Sequence, residues 1–182
     1  PTEPLQNRAI GGDLYFPGSV FKLVVTAAAI QSGEYTPDST FGNPAQLNLT
    51  GTSTPIYNST RQECRGGEGD QVSLTNALIY SCNIPFAELG EQLGEDAIAE
   101  QAAAFGYGES LQIPMAVTPS TYPEDMAPSE LQLSSFGQYD VRVTPLQVAM
   151  TTAAIANGGE LMQPQLVDEV IDTETLDVLA EP

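Results

Sequence analysis

A chain of 182 residues is long enough to bury a real core, as one domain or as a large piece of a bigger one. With 24 Asp and Glu against 5 Lys and Arg, its formal net charge of −19 repels nucleic acid and anionic lipid, so neither is expected as a partner. Histidine is absent, which excludes Ser-His-Asp and Cys-His catalysis and any imidazole zinc site; no metal or cofactor is expected.

Residues 1–16 read as a loop or strand end. Pro17 and Gly18 break the chain, and a helix is predicted from Ser19 through the apolar run Leu23 to Ile30, with Gly33 just beyond it. That run is the longest apolar stretch and is too short to span a bilayer. No signal peptide is visible, so any membrane anchor is expected to lie outside these residues. Ser19 and Lys22 stand at i and i+3, which puts both side chains on one helix face with Cβ atoms about 5–6 Å apart. Lys22 is the single lysine of the chain. A serine hydroxyl becomes a useful nucleophile when a neighbour takes its proton, and a lysine at its ordinary pKa of about 10.4 cannot do this at neutral pH. Burial disfavours the ammonium form, and the apolar neighbours of Lys22 are the setting that lowers its pKa. Ser19 is the candidate nucleophile and Lys22 its candidate base, although Ser-x-x-Lys by itself is a common polar first turn.

From Glu34 to Gly69 the chain is rich in Thr, Pro, Asn and Gly, and loops with one or two short strands are predicted, at Ala45–Leu49 and Pro55–Tyr57. Asn48-Leu49-Thr50 and Asn58-Ser59-Thr60 are glycosylation-type sequons, which suggest surface loops. Ser73 is the expected N-cap of a short helix ending at Tyr80. Pro85 opens the next, which runs to about Leu93 before Gly94. Glu95 to Phe105 is alanine-rich and helical, stopped by Gly106. Gly106 to Pro128 reads as a long Pro/Thr/Ser loop, a mobile cover. Thr144-Pro145 opens a helix over Leu146 to Ala156, and Gln165 to Ile171 alternates like a strand. No internal repeat or linker divides the chain.

Between two of these helices lies Tyr80-Ser81-Cys82-Asn83-Ile84. Alternate side chains at such a junction point in opposite directions, so Ser81 and Asn83 are expected to face one cleft while Cys82 turns away. Ser81 is a candidate proton relay between Lys22 and a leaving amine, and the Asn83 amide a candidate clamp on a peptide-like substrate. Cys64 and Cys82 lack metal-site spacing. Two readings remain for them, a disulfide in an exported setting or two separate buried thiols. A bond would pin the turn to the loop before it.

S-x-x-K on a helix followed by S-x-N on a turn is the motif pair of penicillin-recognising serine enzymes. Pro17-Gly18-Ser19-Val20-Phe21-Lys22 resembles the active-serine motif of class B penicillin-binding proteins, and Asn76-Ala77-Leu78 through Ser81-Cys82-Asn83 to Phe86-Ala87 resembles their second motif with its flanks. Phe105-Gly106-Tyr107-Gly108, Gly137-Gln138, Val143-Thr144-Pro145-Leu146-Gln147-Val148-Ala149 and Ala156-Asn157-Gly158-Gly159 are similar to the blocks that follow, in the same order. The resemblance covers nearly the whole chain and is to actinobacterial members of division or elongation type.

The resemblance implies an α+β fold of the penicillin-binding transpeptidase and serine β-lactamase type, here mainly the helical lobe with part of the antiparallel sheet. It implies DD-transpeptidation of peptidoglycan, in which Ser19 attacks the penultimate D-alanine carbonyl of a stem peptide and an amine of a neighbouring stem resolves the acyl-enzyme. Lys22 would be base, Ser81 relay, Asn83 clamp, and the N–H of Ser19 one oxyanion donor. Implied partners are peptidoglycan stem peptides, β-lactams as covalent inhibitors, a cell-wall glycosyltransferase and the remainder of the transpeptidase domain, at the extracytoplasmic face of a bacterial membrane. One departure stands out: no third motif, K-T-G, occurs, and with one lysine none can. Residues 1–182 are therefore expected to be a partial domain, inactive alone. A β-lactam hydrolase or DD-carboxypeptidase on the same scaffold would differ in a short-lived acyl-enzyme. A non-catalytic β-lactam sensor would be acylated without crosslinking.

Overall fold

The computed structural model describes residues 6–111, 113–175 and 177–180. After Pro17 the chain makes one 3-10 turn, Gly18–Phe21, and continues as helix α1 (Lys22–Gln31). The first turn expected to be α-helical is thus wound more tightly, which eclipses side chains at i and i+3 and stacks Ser19 over Lys22. Val24, Val25, Ala28 and Ala29 bury α1 on more than one side. It is the central post of the molecule.

Four short strands follow: β1 (Thr40–Gly42), β2 (Gln46–Asn48), β3 (Pro55–Tyr57) and β4 (Gln71–Ser73). They form two antiparallel pairs, β1 with β4 through Phe41 opposite Val72, and β2 with β3 through Leu47 opposite Ile56. Phe41, Val72 and Ile56 turn inward. The strands predicted near Ala45–Leu49 and Pro55–Tyr57 are therefore partners in one hairpin. Asn48 is exposed there; the second sequon also lies on a surface loop, with Ser59 and Thr60 exposed, but its Asn58 is turned inward at 4% exposed.

Helix α2 (Leu74–Ile79) starts where Ser73 accepts a hydrogen bond from the Asn76 N–H. Helix α3 (Ile84–Leu93) carries Pro85 in its first turn, and α4 (Glu95–Ala104) follows after Gly94. Phe86, Leu89 and Ile98 are fully buried where α3 and α4 pack on α1. Helix α5 (Pro128–Ser134) was hidden in the sequence behind a proline that resembles a loop end; Pro128 instead opens it, and Glu130 accepts from the Ala127 N–H at 2.8 Å. Helix α6 (Pro145–Ala156) is capped by Thr144, which accepts from the Gln147 N–H. Strands β5 (Val170–Ile171) and β6 (Val178–Ala180) pair antiparallel, so only the last two residues of the strand expected at Gln165–Ile171 are in a ladder.

Gly106 to Pro128 is largely loop, as expected, and its described residues meet the core and the N-terminal residues at several points. The Tyr107 ring meets Phe21 edge-on at 5.7 Å, and Tyr122 stacks on it at 5.6 Å. Thr118 bonds Ile10, Gly108 bonds Ser120, and Thr121 pairs with Arg142. Composition spoke for irregular backbone, which the described residues have, and Tyr107 and Tyr122 hold it against Phe21. No described helix is long and apolar enough to cross a membrane.

Candidate active site

Helix α2 ends in a Schellman motif: the Cys82 N–H bonds the Ala77 carbonyl and the Ser81 N–H bonds the Leu78 carbonyl. The motif requires a left-handed residue, and that residue is Ser81, at φ +55°. Helices α4 and α6 close with the same long bond, from Tyr107 to Ala102 and from Gly159 to Ala154, and carry Gly106 and Gly158 in the left-handed place. A serine where glycine is the default costs about 1–2 kcal/mol. Its carbonyl and hydroxyl both turn to Lys22.

Lys22 is 0% exposed. Its Nζ lies 2.7 Å from the Ser81 carbonyl oxygen, 2.9 Å from Asn83 Oδ1, 3.2 Å from Ser19 Oγ and 3.3 Å from Ser81 Oγ. It also sits 5.6 Å from the Phe86 ring centroid. No carboxylate is among these neighbours, and burial lowers its pKa from 10.5 to about 8. A neutral amine has two N–H groups and one lone pair. When Lys22 gives up its proton, its two N–H groups are matched by the two shortest contacts, the Ser81 carbonyl and Asn83 Oδ1, and its lone pair can then accept from the Ser19 hydroxyl. The structure thus brings both hydroxyls, of Ser19 and Ser81, within hydrogen-bonding distance of the buried Lys22 amine.

Asn83 has a second task. Its Nδ2 donates to the Tyr57 carbonyl at 2.9 Å, tying the turn to β3, which leaves one N–H of the amide for a ligand. Cys82 turns away, as expected, and is bonded to Cys64 with Cα atoms 5.7 Å apart. Of the two readings left open for the cysteines, the structure has the disulfide.

Sequence reasoning missed Asn58. Its Oδ1 accepts from the N–H groups of Asn83 and Ile84, at 2.8 and 3.2 Å, capping α3 in place of any side chain of the turn itself. The signal is a buried asparagine in a loop, and burial is not visible in sequence. Gly137 is a second support. The Gly18 N–H bonds its carbonyl at 3.0 Å, and a Cβ on Gly137 would overlap the Gly18 carbonyl. The turn bearing Ser19 leans directly on this backbone. Above the constellation opens a cleft of about 710 Å³ whose wall includes Ser19, Ser81, Asn83, Tyr57, Arg61 and Tyr139. No described residue of the 106–128 segment lines it.

Residues 1–181 match the family described as penicillin-binding protein transpeptidase domain. The peptidoglycan D,D-transpeptidase PbpA of Mycolicibacterium smegmatis is 40% identical over 93% of this chain and 34% of its own length. The penicillin G acyl-enzyme complex of penicillin-binding protein A from Mycobacterium tuberculosis superposes with a TM-score of 0.92 at 36% identity, over 100% of this chain and 41% of that one. The D,D-transpeptidase domain of a peptidoglycan glycosyltransferase from Eggerthella lenta does so with a TM-score of 0.88 at 28% identity, over 99% and 45%. The chain thus spans about a third of the length of the curated relatives it matches. With these matches along its whole length and the Ser19–Lys22–Ser81–Asn83 constellation in place, the chain belongs to the penicillin-binding protein transpeptidase family, among its class B members of actinobacterial type.

Proposed function

We propose that this chain is the first part of a transpeptidase domain, and that the protein carrying it crosslinks peptidoglycan stem peptides through an acyl-enzyme on Ser19. The observation that carries this is the fully buried Lys22 amine, 3.2 Å from Ser19 Oγ and 3.3 Å from Ser81 Oγ. In the first step the lone pair of Lys22 takes the Ser19 proton while Oγ attacks the carbonyl of the penultimate D-alanine. The oxygen that gains charge is received by the N–H of Ser19, held by the turn that Gly137 supports. Collapse breaks the peptide bond, and the leaving D-alanine nitrogen takes its proton through the Ser81 hydroxyl. The free Nδ2 hydrogen of Asn83 holds the acyl chain. An acceptor amine then attacks the ester, loses its proton along the same route and restores the Ser19 hydroxyl. A β-lactam follows the first half and is trapped as a stable ester.

The third motif is assigned to the remainder of the domain, where its lysine and a following N–H would supply carboxylate binding and the second oxyanion donor. Lacking one such donor costs about 100- to 1000-fold in rate, so residues 1–182 alone should not be detectably acylated by a labelled penicillin. The likeness to a protein in a peptidoglycan synthase complex that coordinates polymerization and crosslinking supports a glycan-polymerising partner. Peptidoglycan chemistry and the disulfide support a place on the extracytoplasmic face of the membrane. The test is Ser19→Ala in the full-length protein. Covalent penicillin labelling and stem-peptide crosslinking should both vanish; labelling that persists refutes the assignment.

A further inference from the structure

Residues 58–64 are fastened at both ends to the turn that carries Ser81 and Asn83. At one end the buried Asn58 accepts from the N–H groups of Asn83 and Ile84. At the other, Cys64 is bonded to Cys82. Between them Asn58 Nδ2 donates to the Gln62 carbonyl at 3.0 Å, and the Arg61 N–H donates to the Asn58 carbonyl at 2.9 Å. Arg61 stands at the apex with φ +56°, a conformation that a residue with a side chain keeps where its surroundings enforce it. Its guanidinium lies 5.0 Å from the Tyr57 ring centroid, and both side chains line the cleft beside Ser19, Ser81 and Asn83. The cation thus lies over the face of that ring, which restrains it at the cleft wall.

The charge around it is as specific as the geometry. The chain carries 24 Asp and Glu, yet none of the residues lining the cleft is acidic. Among the described residues the ion pairs join Arg8 to Asp13 and Arg142 to Asp140, and Arg61 has none. An exposed guanidinium with no ion-pair partner, among lining residues of which none is acidic, suits a carboxylate.

We infer that Arg61 reads a free carboxylate on the acyl donor, on the side of the scissile bond away from the leaving D-alanine, and so sets a preference for anionic stem peptides. This rests on the acyl transfer at Ser19 proposed above. The fastened segment from Asn58 to Cys64 is what holds the guanidinium in register with Asn83.

The experiment uses the full-length protein with benzylpenicillin and its α-carboxy analogue, which differ by one carboxylate in the acyl side chain. The second-order acylation rate constants are measured for the native protein, Arg61→Gln and Arg61→Lys. The ratio of the carboxylated to the parent compound should fall about 5-fold or more in Arg61→Gln and recover in part in Arg61→Lys. Raising salt from about 50 to about 500 mM should lower the native ratio and leave that of Arg61→Gln unchanged. An unchanged ratio overturns the inference. So does an equal loss for both penicillins, which would make Arg61 a structural support. If the native protein is not acylated by benzylpenicillin at all, the Ser19 reading itself fails, and the two failures are thereby told apart.

Discussion

Lys22 is an uncommon residue to find fully buried without a carboxylate beside it. Burial lowers its pKa from 10.5 to about 8, so the unfolded chain holds the proton more tightly than the folded one. Between these two values the unfolded state binds more protons, and folding stability rises with pH there; below about 8 the penalty is present in full. Lys22→Met removes the titration. The stability difference between native protein and Lys22→Met should therefore shift in favour of the native protein as pH rises through that window, measured by thermal unfolding at fixed ionic strength. A second prediction concerns Asn58, whose Oδ1 satisfies two N–H groups at the start of α3. Asn58→Ala leaves both without that acceptor and should cost about 1–3 kcal/mol, seen as a lower unfolding midpoint together with slower acylation. Asn58→Asp keeps the acceptor but loses the Nδ2 donor to the Gln62 carbonyl and buries a carboxylate, so it should recover only part of the loss.

The elements that make the site are short, and each was readable from sequence to the extent that its cause was local. Ser19 and Lys22 are joined by one turn, and Ser81 and Asn83 by one helix junction, so their relation follows from residue spacing. Ser73, Pro85 and Thr144 announce helix starts by their own chemistry. Asn58 bonds residues 25 and 26 positions away, and no local rule reports that. The contacts of the 106–128 segment are hidden for the same reason: its composition describes its backbone, while Tyr107 and Tyr122 meet Phe21 across the fold. Helix α5, unseen in the sequence, matters because the turn after it delivers Gly137 against Gly18. Gly137→Ala should displace the Ser19 turn and reduce acylation more than it reduces overall folding. Gly158→Ala, also at a left-handed position but with open space around it, should cost about 1–2 kcal/mol and leave acylation unchanged.

On the scale of the whole molecule, one apolar core runs from α1 through α3 and α4 to the strands, and the cleft lies on its surface where loops meet the start of α1. The disulfide joins residues 18 apart and ties the loop before α2 to the turn after it that carries Ser81 and Asn83. In the chain-entropy account a loop of this size is worth about 3 kcal/mol. The double variant Cys64→Ser, Cys82→Ser should lose about that much stability and acylate more slowly, because the turn loses one of its fastenings; equal stability would show that the bond acts elsewhere.

The account depends on a neutral Lys22 taking the proton from Ser19, and the pH dependence of Ser19 acylation in the full-length protein tests it most directly. With benzylpenicillin and the adduct located on Ser19 by peptide mass, the second-order rate constant should rise about tenfold per pH unit below the inflection, level off above about pH 8, and vanish in Lys22→Met. A rate constant flat between about pH 6 and pH 10, or acylation of Lys22→Met at the native rate, would contradict it.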